Sequence, residues 1–153
     1  ATLYGYKAFW GTLLPVTVHG RVSDIWRSYF TLRLMWDVNQ SIAFSHPFAI
    51  QHRNPHSYLA DFESEQHLYL RAGALTAFLL QWKPPSGLTL IGRIEELSIA
   101  MYEHDIIQLR DVLLCQAFLT DLLKVGYSFP EIIDGEGFKG AVPAMAGVVD
   151  GRK

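Results

Sequence analysis

The chain has 153 residues, half of them hydrophobic and 13% aromatic, which suits a folded chain of ordinary domain size and excludes a disordered or solvating segment. Its formal charge is −2, from 13 basic and 15 acidic residues, so no global field draws it to nucleic acid or to an anionic membrane, and any anion site must be local. The single cysteine, Cys115, excludes a disulfide framework and a four-ligand zinc site.

No apolar run reaches the roughly 18 residues of a membrane span. Residues 1 to 18 carry Tyr4, Tyr6 and Lys7 rather than a signal peptide. The segment is therefore expected to be soluble. It does not begin with Met, as expected of a piece excerpted or processed from something longer.

In chain order, TLLPVTV at 12 to 18 reads as a short buried strand, with Pro15 favouring an edge or a bulge. His19-Gly20 breaks it. Ser23 predicts an N-cap for a helix from Asp24 to about Val38, with Asp24 in the first turn and Ile25, Tyr29, Leu32 and Trp36 on one face. SIAFSHPFAIQH, 41 to 52, alternates as a second extended segment interrupted at Pro47, and RNPHS turns the chain. Leu68, Ala72, Leu75, Leu79 and Trp82 then recur at helical spacing behind Ser64 as a cap, and KPPSG ends that helix. Leu90, Ile94, Leu97 and Met101 predict another helix. Leu109, Val112, Gln116, Leu119 and Leu123 predict a third, after a tight turn near His104-Asp105, stopping at a left-handed Gly126. Cys115 lies among the apolar residues of this last helix and is expected to be a buried, inert thiol. From Tyr127 the chain is rich in glycine and without a period, which predicts a loop or a tail.

The order strand, helix, strand, then three helices predicts an α/β fold, predominantly helical: the closing part of an α/β domain at 1–60, a helical subdomain at 61–126 and an irregular tail at 127–153. A free-standing small helical domain is the other architecture this order allows.

HGRVSDIWR carries the sharpest chemical expectation. A glycine turn opening a helix points amides at an anion, and Arg21 adds charge-assisted hydrogen bonds, although neither GxGxxG nor GxxxxGK[ST] is present. Asp24 can serve as a general base or orient a sugar hydroxyl, or simply favour the helix dipole. Arg27 and Arg33 are candidates for substrate phosphates or for structural pairing, with Asp37 four residues beyond Arg33. Trp26 and Trp36 read as core. His46, His52 and His56 lack the spacing of a closed zinc site, and His52-Arg53 suits either a polar turn or a phosphate-bound cation. DFESE at 61 to 65 reads as a cap and a solvated face.

LPVTV followed by Arg21, DIxRxY from Asp24 to Tyr29, RLxW from Arg33 to Trp36, His52-Arg53, LSIAM at 97 to 101 and FLTDLLKVGYSFP at 118 to 130 together resemble the STELLO family of glycosyltransferases, over about residues 3 to 132. The resemblance implies a Golgi protein linked to cellulose synthase assembly, with a lumenal region similar to GT-A nucleotide-sugar transferases. It implies roles for Asp24 at the acceptor side, for His52 at a divalent cation, manganese or magnesium, and for Arg21 and Arg53 at the diphosphate; Arg27 stays a substrate-contact candidate from the residues alone. A nucleotide sugar and a glycan or protein acceptor would be the partners. No Asp-x-Asp metal motif is present. The function expected is that of a partial sugar-transfer site. The alternative is a noncatalytic helical interaction module that supports assembly of a membrane complex.

Overall fold

The computed structural model describes residues 2–52 and 54–133. Among these residues the regular structure is entirely helical: α1 (Gly20–Met35), α2 (Tyr58–Ser64), α3 (Gln66–Gln81), α4 (Leu90–Glu103) and α5 (Leu109–Lys124), with short 3₁₀ turns at Tyr6–Gly11 and Trp36–Val38. The expected α/β fold, the short-stranded closing part of a GT-A-like domain, is therefore overturned.

The physical reason is that a strand needs a neighbour for its amides and carbonyls. Residues 12–18 find a side chain instead. The Val16 amide donates to Asp111 Oδ1 at 2.7 Å, and the Thr17 hydroxyl donates to Asp111 Oδ2. In return, Thr17 Oγ1 accepts from the Gln108 amide at 3.1 Å, so the segment is pinned to the start of α5. The alternating stretch at 41–52 has no regular structure and lies exposed.

The start of α1 also differs from expectation. His19 is the N-cap, its ring accepting from the Arg21 amide at 3.2 Å, and Ser23 sits inside the helix with its hydroxyl donating to the Gly20 carbonyl. Moving the start four residues upstream takes Asp24 out of the first turn. The fully buried apolar face is Val22, Trp26, Leu34 and Met35, with Tyr29 only partly covered, so the face differs from the one read from Ile25 and Leu32. Ser57, rather than Ser64, supplies a cap, to α2, and Glu65 separates α2 from α3.

The later helices form where the periodicity placed them, although of the α5 residues expected to face inward only Val112 and Leu119 are buried, while Leu109, Gln116 and Leu123 are exposed. Leu90, Ile94, Leu97 and Met101 form the buried stripe of α4, and Thr89 caps it through the Gly92 amide. Asp105, at φ 54°, turns the chain into α5, which buries Val112, Cys115, Leu119 and Leu122. Gly126 takes φ +77°, as the helix end requires. Gly11 answers a different need: a side chain there would collide with Thr31, whose hydroxyl donates to the Gly11 carbonyl at 3.1 Å.

α4 packs on α5 and α1 on α3, while α1 also touches α4 and the first 3₁₀ turn. Their inward side chains, from Trp10 to Tyr127, form one hydrophobic cluster. Residues 127–133 lack regular structure but fold back on it, with the Tyr127 hydroxyl donating to the Tyr6 carbonyl at 2.9 Å. The remainder of the expected tail lies outside the described residues.

Cys115 is buried as expected, and burial pushes its thiol up to about 11. At pH 8 only about a thousandth of it is then thiolate, the reactive form. Iodoacetamide at pH 8 should label the folded chain far more slowly than the urea-unfolded chain; equal rates would place the thiol outside the core. A thiol whose pKa is raised by folding keeps its contribution to stability below the unfolded value of 9.0. That contribution declines as pH climbs from there toward 11.

Candidate functional site

The first two turns of α1 bring together the residues expected to carry chemistry, but the surroundings direct them differently. Arg21 lies at the positive end of the helix dipole, a position that favours anions over cations. Its charge is answered from α2 and the α2–α3 junction: Arg21 Nη2 is 2.5 Å from Asp61 Oδ1, and Nη1 is 3.4 Å from Glu65 Oε1. Asp61 Oδ2 also lies 3.4 Å from His56 Nε2, while Tyr69 donates its hydroxyl to Glu65 Oε2 at 3.0 Å. The hydrogen bond to Glu65, which only the protonated phenol can donate, raises the Tyr69 phenol, and the negative charge of that carboxylate adds to the effect. The group ties α1 to α2, α3 and the chain before α2. Being partly exposed, such pairs contribute under about 1 kcal/mol each.

Asp24 lies one turn further along, exposed to solvent. Its Oδ1 accepts from the Ile25 amide at 2.9 Å, and no cation pairs with it among the described residues. It lines neither of the cavities described below.

Arg27 faces another way. It is half-buried, its guanidinium carbon is 4.9 Å from the centroid of the Tyr4 ring, and it borders an apolar cavity between α1, α4 and α5. Arg33 forms the expected pair with Asp37, Nη1 to Oδ1 at 2.9 Å, and donates to the Trp82 carbonyl at 3.0 Å. Trp26 is core, packed against the His67 ring. Trp36 is only half-buried.

His52 stands exposed on the irregular stretch before α2, as does His46. Arg53 lies outside the described residues. Among the described residues no group of three or more His, Cys, Asp or Glu side chains converges as a metal site, so these residues do not supply the donor set that a resident divalent cation needs. The helix start likewise offers little to a diphosphate, because Arg21 is occupied by two carboxylates and His19 already accepts one of the first amides.

Sequence reasoning missed the partners. Asp61 and Glu65 read as a solvated face, yet carboxylates four apart on helical turns are spaced to grip one cation from both sides, and that spacing was the signal. Asp111 and Arg93 carried no local signal, because their partners, Val16, Thr17 and Asp37, are remote in the chain. A second cavity, of about 350 Å³, lies between the α3–α4 connection and residues 129–132 and is lined mainly by apolar groups, including Leu88, Ile91, Phe129 and Ile132.

No helix among the described residues is long and apolar enough to cross a membrane. The family model for STELLO glycosyltransferases matches residues 21–146. Two Arabidopsis thaliana proteins, named Probable glycosyltransferase STELLO1 and Probable glycosyltransferase STELLO2, are each 35% identical to the chain over 135 residues, 88% of its length. The matched part spans only 17% of either relative. No solved structure matches the chain. On the family match and on this identity, the chain belongs to the STELLO glycosyltransferase family.

Proposed function

We propose that this chain serves sugar transfer as a noncatalytic helical module of a STELLO-type glycosyltransferase, packed against another part of the same polypeptide. The observation that carries this reading is the exposed apolar run through Phe44, Phe48, Ile50, Tyr58, Leu59 and Phe62, on which Phe44 alone is 97% exposed. Isolated surface hydrophobes are ordinary, whereas six large ones exposed between residues 44 and 62 support a segment that works covered. The relatives' greater length supplies the occupant: most of each lies outside the matched region, and a neighbouring part of such a polypeptide is the partner closest at hand. The engagement of Arg21 with Asp61 and Glu65, and of Arg33 with Asp37, supports the same reading, since both arginines already have their anions. The family resemblance adds the finer setting: the Golgi lumen, a nucleotide-sugar donor, a glycan or protein acceptor, and membrane-complex partners in cellulose synthase assembly.

A second reading is favoured by one feature. Asp24 is exposed and without a cation partner among the described residues, so its carboxylate is open to an acceptor hydroxyl brought by another part of the protein. Sugar transfer from UDP-glucose by the polypeptide that carries this chain, measured with and without Asp24→Asn, separates the two. Transfer unchanged by Asp24→Asn is expected. Loss of transfer in an Asp24→Asn variant that stays folded would replace the first reading with the second.

A further inference from the structure

We infer that the cavity between α1, α4, α5 and the first 3₁₀ turn binds a small anionic amphiphile, with its apolar end inside and its oxyanion on Arg27. The cavity has a volume of about 80 Å³ and is lined by Trp10, Leu34, Ile94, Leu97, Cys115 and Phe118 among others. Such a lining excludes a sugar or a nucleotide as occupant, because their hydroxyls would lose water without gaining partners.

The polar groups at its edge are spent, except on Arg27 and on Trp10, whose indole N–H is buried without an acceptor among the described residues. Asp111 accepts from the Val16 amide and the Thr17 hydroxyl, the Ser98 hydroxyl donates to the Glu95 carbonyl at 2.7 Å, and Thr31 donates to Gly11. Arg27 has no carboxylate in ion-pair reach among the described residues. Its Nε is buried and without an acceptor, and the face of Tyr4 holds the guanidinium in place. A guanidinium at the rim of an apolar cavity with no carboxylate in reach gains a charge-assisted bond from an anionic oxygen, given by its terminal nitrogens rather than by the enclosed Nε. Of the two charged groups on the lining, Asp111 is bonded to the Val16 amide and the Thr17 hydroxyl whereas Arg27 has no bonded anion, so the anion goes to Arg27, and the apolar walls select a hydrocarbon tail. For scale, an engineered apolar cavity of roughly 150 Å³ admits benzene. This one therefore encloses only the last few carbons of a tail, with the rest of the ligand in its open mouth.

Calorimetric titration of the full 153-residue chain with hexanoate, hexyl phosphate, hexanol and inorganic phosphate tests the assignment. Both hexyl anions should bind saturably and at least about tenfold more tightly than hexanol, and inorganic phosphate should not bind. The two anions distinguish a carboxylate from a phosphate head. Arg27→Gln should bring the anions down to the level of hexanol, Arg27→Lys should restore part of the difference, and Cys115→Leu, which fills the void, should abolish binding of all three hexyl compounds. Circular dichroism checks that each variant is folded, and Ser98→Val fills the same void should Cys115→Leu unfold the chain. Anions no tighter than hexanol, binding of inorganic phosphate alone, or affinity unchanged by Arg27→Gln or by the filled cavity would overturn the inference. So would self-association that hexanoate fails to reverse and that occupies the cavity with a second copy.

Discussion

Trp26→Ala should lower the stability of the chain by about 3–5 kcal/mol, the largest loss expected from a single apolar side chain here. The indole is 1% exposed at the centre of the α1 face, and its ring lies 5.9 Å from the His67 ring of α3 at an interplanar angle of 29°. Deleting it removes the apolar transfer energy and leaves a void between two helices that are tied elsewhere and cannot close on it. Trp26→Phe should cost much less. It keeps most of the ring volume and removes an indole N–H that is buried without an acceptor among the described residues. For a chain of this size, 1 kcal/mol moves the melting temperature by roughly 2–4 °C, so thermal and urea melts resolve the two variants easily. A loss below about 1 kcal/mol for Trp26→Ala would mean that the α1–α3 contact does not organise the core.

Asp37→Ala should be comparably damaging, by about 3–5 kcal/mol, for an electrostatic reason. Its carboxylate is 10% exposed and bridges two guanidinium groups: Arg33 Nη1 at 2.9 Å and Arg93 Nη1 at 3.0 Å, whose side chains are 11% and 13% exposed. The Arg33 guanidinium carbon also lies 5.0 Å from the centroid of the Trp82 ring and 5.9 Å from that of Trp36. Removing the anion leaves two cations facing each other in a poorly solvated corner, and neither can reach water without breaking its packing. Raising the salt concentration should do little to wild type, because the pairs are shielded from mobile ions. Urea unfolding measures the effect. A cost within about 1 kcal/mol, the range of an exposed ion pair, would show that the bridge is open to solvent and that Arg33 is free for another ligand.

The contrast between Arg33 and Arg21 explains how far the candidate site was legible. Arg33 and Asp37 are one turn apart on the same helical run, so their pair could be read directly from spacing. The partners of Arg21 lie 40 and 44 positions away, and nothing near HGRVSDIWR announces them. The glycine and arginine looked like an anion cradle because the local pattern fits one, and it is the carboxylates from α2 and its junction with α3 that fill the position of the anion. Asp24 illustrates a smaller shift: placing the cap at His19 rather than Ser23 moves the carboxylate from the first helical turn to the exposed side of the second.

The sequence by itself determined the helices whose apolar stripes repeat at 3.6 residues, α4 and α5 above all, together with the turn at Asp105, the stop at Gly126, the burial of Cys115 and the membership of the STELLO family. These rest on neighbours one or two turns away, or on residue order alone. Only the tertiary structure decided that TLLPVTV and SIAFSHPFAIQH are not strands, that Asp111 anchors the first of them, and which anions answer which arginines. A β-branched or alternating run states a preference for extended backbone. Whether that backbone becomes sheet depends on a second strand to complete its hydrogen bonds, and here a buried aspartate on a distant helix meets that demand for one segment while the other remains unpaired in solvent.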